Sequence, residues 1–132
     1  MIKIGLKGRQ EIIVGQKDLA SEVGNMGAEV LSTHRVVLLM ELASRKAIEE
    51  FLPPDKMIVG TLISIRHFAA APLGSRVLVE SALKEIDGRR HVFAVAAHDE
   101  TEKLAEGLNE LLIISSAKFL EKLKTKADLL HR

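Results

Sequence analysis

The sequence predicts an α+β fold in which one long helix is wrapped by a curved antiparallel sheet of about five strands. Three observations carry this expectation. Residues 34–51 are rich in Leu, Met, Ala, Glu and Lys and meet no breaker until Pro53-Pro54, which cannot continue a helical hydrogen-bond ladder. The first half of that segment, with Val36, Val37, Leu38, Leu39, Met40, Leu42 and Ala43, is apolar in most directions, as in a helix enclosed by other structure. Beyond the prolines the pattern turns to alternation and β-branched residues over 57–68, 75–86, 89–98 and 103–115. An enclosed helix followed by a long antiparallel meander is accommodated by curving the sheet around the helix.

The remaining elements fit that frame. A short strand is expected at 11–14. The Gly24-Asn25-Met26-Gly27 stretch leads to Ser32 and Thr33, two hydroxyl residues able to cap the helix. Arg45, Lys46, Glu49 and Glu50 make the second half of the helix amphipathic, so that it reaches solvent. Asp87-Gly88 predicts a hairpin with a type I′ turn, and 99–102 a looser polar turn. From Ala117 onward, Phe119, Leu120, Leu123 and Leu129 among lysines predict a short amphipathic helix that packs on the domain or on a partner. At 132 residues the chain suits a single domain spanning 1–132. A lone curved sheet leaves its edges open, and edge-to-edge pairing of two copies covers them, so a homodimer is expected.

Composition narrows the chemistry. With 19 Lys and Arg against 18 Asp and Glu the net charge is +1, which argues against nucleic acid or an acidic membrane as partner. Four Phe and no Trp or Tyr leave few stacking platforms for single strands. The absence of Cys excludes disulfides, thiolate metal sites and a cysteine nucleophile, and makes the cytoplasm the expected compartment. No apolar run, residues 36–40 included, approaches the length of a membrane span, and residues 1–10 lack the apolar block of a signal peptide. No nucleophile elbow, phosphate loop, dinucleotide fingerprint or metal-binding helix is present, and His34, His91, His98 and His131 lack metal-like spacing.

Four positions stand out. Glu41 interrupts an apolar stretch, where a carboxylate is costly unless it is paired or used; the plain alternative is a surface ion pair with Arg45, one turn on. His67 ends the first long strand, in line with Thr61, Ile63 and Ile65, and an imidazole there serves either as a satisfied core residue or as a general base. Thr33 suits the helix cap, while the same helix start offers free N–H groups to a carbonyl gaining negative charge. Gly60 marks either a bulge or bend or a close approach of substrate to backbone. Eight helical residues put Thr33 and Glu41 about 12 Å apart, so one reacting carbon can engage both only along an elongated substrate or across two subunits.

Taken together, Leu31-Ser32-Thr33 through Leu39-Met40-Glu41, Val59-Gly60-Thr61 with Arg66-His67, residues 77–83 and Asp87-Gly88-Arg89-Arg90 resemble the fluoroacetyl-CoA thioesterase-like family of the hotdog superfamily, over about 29–119. The resemblance implies the hotdog fold and hydrolysis of an acyl-CoA to a carboxylic acid and free coenzyme A. It further implies that Thr33, Glu41 and His67 are catalytic and that Gly60 contacts substrate, with coenzyme A present only as part of the substrate and no cofactor or metal. Gly107-Leu108-Asn109 stands where similar proteins often carry Gly-Thr-His. Arg66, Arg89 and Arg90 could meet the coenzyme A phosphates. The rival readings are a hotdog hydratase and a non-catalytic acyl-CoA-binding or regulatory protein; pairing of dimers into tetramers is left open.

Overall fold

The computed structural model describes residues 1–131. In chain order it holds β1 (Lys7–Ile13), two short 3-10 turns (Gln16–Asp18 and Ala20–Val23), α1 (Thr33–Ile48), a third 3-10 turn (Glu49–Phe51), β2 (Lys56–His67), β3 (Arg76–Asp87), β4 (Arg90–His98), β5 (Lys103–Ser115) and α2 (Ser116–Leu130). The five strands form one antiparallel sheet in the order β1-β3-β4-β5-β2, curled around α1 as expected.

The helix buries Val36, Leu39, Met40, Ala43, Ala47 and Ile48 against Val77, Val79, Leu83, Phe93, Val95 and Leu111 of the sheet. Each of the larger side chains contributes roughly 1.5–3 kcal/mol by leaving water. Two hydroxyls inside this core satisfy each other, Ser44 Oγ and Ser81 Oγ at 2.8 Å. The helix comes closest to the sheet at Gly8 of β1, where a Cβ would overlap the Ala43 carbonyl oxygen. A glycine inside a strand here marks a close backbone approach.

Several boundaries differ from the sequence expectation. The first strand is Lys7–Ile13 rather than 11–14, because pairing with β3 draws the poorly β-forming Lys7 to Gln10 into the ladder. The α-helix proper stops at Ile48, and the last turn before the prolines tightens to a 3-10 turn. The β3–β4 turn lies one residue later than expected. Asp87 pairs with Arg90, and of the two loop residues only Gly88 has positive φ, +62°. That is the sign pattern of a type II′ turn with Gly first, not of the type I′ turn expected. The polar turn at 99–102 is built by Asp99 Oδ1, which accepts from the N–H groups of Thr101 and Glu102 at 2.8 and 2.9 Å.

A bulge in β2 positions the site. Gly60 pairs with Leu111 and Leu62 with Glu110, leaving Thr61 as the extra residue. Without it, Gly60 and His67, seven residues apart, would point to opposite faces; the extra residue puts both on the face turned toward α1. Thr61 was expected on the same face as Ile63, Ile65 and His67. Instead its hydroxyl donates to Glu110 Oε2 at 2.6 Å on the outer face, where Arg90 clamps Glu110 and Glu85 holds Arg90. Helix α2, capped by Ser115, runs nearly free: none of its residues is buried, and Leu120, Leu123, Leu129 and Leu130 are exposed. No described helix is long and apolar enough to cross a membrane.

Candidate active site

The start of α1 is anchored from three sides. Ser32 Oγ accepts from the Arg35 N–H at 3.2 Å, Arg35 Nε lies 2.7 Å from the buried carboxylate of Asp18, and the Ser32 N–H donates to the Asp18 carbonyl at 2.9 Å. Ser32 is therefore the cap, which corrects the expectation that Thr33 fills that role. Thr33 is the first helical residue, and its hydroxyl is free to meet His67, with Oγ1 and Nδ1 2.9 Å apart. The N–H groups of Thr33 and His34, in the first turn, have no intrahelical acceptor.

His67 closes β2 and is half-buried. Its Nε2 is enclosed and has no hydrogen-bond partner among the described residues. Burial pushes the imidazole pKa below its ordinary 6.5, opposed by the nearby Ala69 backbone, which favours the neutral ring. Thr33 and His67 border a depression of about 280 Å³ whose other walls include Val30, Leu31, Ala69 and Ala70.

Glu41 lies on the same stripe of α1 as Thr33 and Val37, two turns further on. Its carboxylate is seated on the backbone of Gly60: a Cβ there would stand 2.5 Å from Oε2 and 3.0 Å from Oε1. The surface pair with Arg45 does not form, because the Arg45 guanidinium donates to the Ile58 carbonyl at 3.1 Å. Glu41 makes no ion pair or side-chain hydrogen bond among the described residues. The side chain is half-buried.

The fold thus brings Thr33 to His67 and Glu41 to Gly60, and it keeps the two pairs apart. About 12 Å of helix separates them on one side. Six effective strand rises, roughly 20 Å, separate them on the other. Sequence reasoning assigned no role to Asn109. Fully buried on the inner face of β5, it donates from Nδ2 to the Leu62 carbonyl at 3.0 Å and holds the bulge from inside. Its signal was legible as the one amide among inward positions that otherwise read Ala105, Gly107 and Leu111.

A single long helix gripped by a five-stranded antiparallel sheet of order β1-β3-β4-β5-β2 is the hotdog fold, and solved thioesterases of that fold share it closely. A Thermus thermophilus thioesterase superfamily member superposes with a TM-score of 0.92 at 28% identity, covering 99% of this chain and 97% of its own. A mutant of the fluoroacetyl-CoA-specific thioesterase FlK superposes with a TM-score of 0.87 at 29% identity, covering 96% and 98% of the two chains. The model of the FlK family, fluoroacetyl-CoA-specific thioesterase, matches residues 14–117. The fluoroacetyl-CoA thioesterase of Streptantibioticus cattleyicolor is 37% identical over 98 residues, 74% of this chain and 70% of that protein. The chain belongs to the FlK family of thioester hydrolases.

Proposed function

We propose that the protein hydrolyses an acyl-CoA to a carboxylic acid and free coenzyme A, in a site where Thr33 and His67 of one subunit face Glu41 and Gly60 of another. The observation that carries this reading is the Thr33–His67 hydrogen bond, with an imidazole whose second nitrogen is enclosed and unpartnered among the described residues. Family membership supports the reaction class, and a FlK variant is known in complex with acetyl-CoA.

The subunit arrangement follows from the open edge of β2. Two copies of an edge strand paired antiparallel about a two-fold axis must set same-face residues opposite each other, so the axis falls on a residue and not between two. With the axis at Ser64, and Thr61 looped out by the bulge, His67 comes opposite Gly60 of the other copy on the inner face. The Glu41 carboxylate resting on that Gly60 then faces the free Nε2 of His67. Both half-sites are completed twice per dimer.

In such a site the thioester carbonyl accepts from the N–H groups at the start of α1, where the positive end of the helix dipole stabilises the developing oxyanion. Glu41 takes a proton from water, and the hydroxide adds to the carbonyl carbon. The C–S bond then breaks, and His67 relays a proton to the departing thiolate while Thr33 holds its ring. Direct attack by Glu41 would break the same bond through an anhydride; a single turnover in heavy-oxygen water that labels Glu41 and not the product acid identifies the covalent route with water opening the anhydride at the Glu41 carbonyl.

The test is release of free thiol from a panel of short, branched and aryl acyl-CoAs. The chain has no Cys to add background. Turnover that falls by about 10²-fold or more in Glu41→Gln and His67→Ala is expected. Binding across the panel without turnover would instead favour the non-catalytic acyl-CoA-binding reading.

A further inference from the structure

Resting on the thioesterase reading, we propose that the phosphoadenosine diphosphate end of coenzyme A docks outside the sheet, in the cleft between the first turn of α2 and the β3–β4 hairpin. This cleft, of about 310 Å³, has an apolar floor of Val59, Leu112, Ile114 and Phe119 and a rim of Arg89, Lys118 and Lys122. None of those three cations makes an ion pair among the described residues, and no carboxylate lines the cleft.

Chemistry and position agree. An adenine needs a flat apolar bed, and a diphosphate with a further phosphate needs several converging cations, of which a guanidinium gives the best-directed contact. The first turn of α2 adds its N–H groups at the same spot, behind the Ser115 cap. Val59 is the immediate neighbour of Gly60 and pairs with Leu112, which in turn pairs with Arg90 at the hairpin. Two strand spacings, about 10 Å, therefore separate the hairpin that carries Arg89 from Val59, a span within the length of the pantetheine arm of coenzyme A. The larger depression on the outer face, about 540 Å³ beside Lys7, Lys84 and Lys103, is the weaker candidate because Glu80 and Glu106 line it and Lys103 is already paired with Glu106.

The experiment compares acetyl-CoA with acetyl-pantetheine, which lacks the nucleotide, on the whole protein and on two triple variants, and follows coenzyme A binding by calorimetry. In Arg89→Gln/Lys118→Gln/Lys122→Gln the KM for acetyl-CoA should rise about tenfold or more with kcat held, the KM for acetyl-pantetheine should not change, and coenzyme A binding should weaken in parallel. In Lys7→Gln/Lys84→Gln/Lys103→Gln all three should stay as in the unaltered protein. An unchanged KM and unchanged coenzyme A binding in the first triple variant, or losses that follow the second, would overturn the docking site while leaving hydrolysis intact. Should the protein turn over no acyl-CoA, coenzyme A binding lost only in the first variant would still uphold the docking site and would remove hydrolysis alone.

Discussion

Two hydroxyls stand side by side at the start of α1 and do different work. Ser32 Oγ caps the helix at the Arg35 N–H, whereas Thr33 Oγ1 reaches His67. Ser32→Ala should therefore cost about 1 kcal/mol, or about 3–5 °C in Tm for a chain of this size, with KM near its original value. Thr33→Ser, which keeps the hydroxyl, should retain most activity; Thr33→Ala should lower kcat with little change in Tm. Equal thermal losses in the Ser32 and Thr33 variants would contradict this division of labour. His67 gives a pH signature. Its folded pKa is lowered by burial, so as pH falls through 6.5 the unfolded chain binds a proton before the folded one does, and stability declines until the folded imidazole is protonated too. Denaturant titrations between pH 7.5 and about 5 should show that acid-side decline in the unaltered protein and a smaller one in His67→Gln. The acid limb of kcat/KM should lie below 6.5, since activity needs the neutral ring.

At the level of the strand, the bulge at Thr61 decides whether β2 can serve a site at all. Removing Thr61 would return Gly60 and His67 to opposite faces. Glu110→Gln is a gentler probe: it weakens the clamp from Thr61 and Arg90 that also holds the Glu110 carboxyl below its ordinary pKa. Its kcat should fall several-fold while far-ultraviolet circular dichroism stays unchanged, and full activity would show that the Asn109 contact suffices alone. Gly60→Ala should push the Glu41 carboxylate from its seat, with a kcat loss approaching that of Glu41→Gln and only a small change in stability, since the displaced group is the end of a flexible side chain. Gly8→Ala meets fixed helix backbone instead and should cost about 3 kcal/mol or more. These elements also show what was legible in the sequence. The enclosed helix and the strands from β2 to β5 could be read because period and breakers were strong, and Glu41 and His67 stood out by interrupting apolar patterns. A bulge near Gly60 and a cap at Ser32 or Thr33 are open readings of the sequence, but that Thr61 is the residue looped out, that Ser32 rather than Thr33 caps, and that Asn109 points inward could not be read, because each depends on which strand or carbonyl lies opposite, and that is settled by long-range pairing.

For the whole molecule, the separation of the Thr33–His67 pair from the Glu41–Gly60 pair makes a strong demand. Within one protomer Glu41 stays far from His67, while the open edge of β2 offers a surface for a second copy. If sites are shared between subunits, inactive proteins of two kinds should rescue each other. A mixed dimer of one Glu41→Gln and one His67→Ala subunit has one site carrying both lesions and one carrying neither. Equimolar mixing with free subunit exchange gives mixed dimers for about half the population, each with one intact site of two, so about a quarter of the original activity should return. A site contained within one protomer would leave every copy damaged, and the mixture would stay as inactive as its parts. Ile65→Pro sharpens the distinction: the Phe68 N–H donates to the Leu104 carbonyl, so alternate residues 64, 66 and 68 face β5 while Ile65, next to the proposed axis, turns its N–H to the open edge, where a proline removes a donor and blocks pairing of the edges. By sedimentation it should run as a monomer, retain the Thr33–His67 contact and hydrolyse nothing.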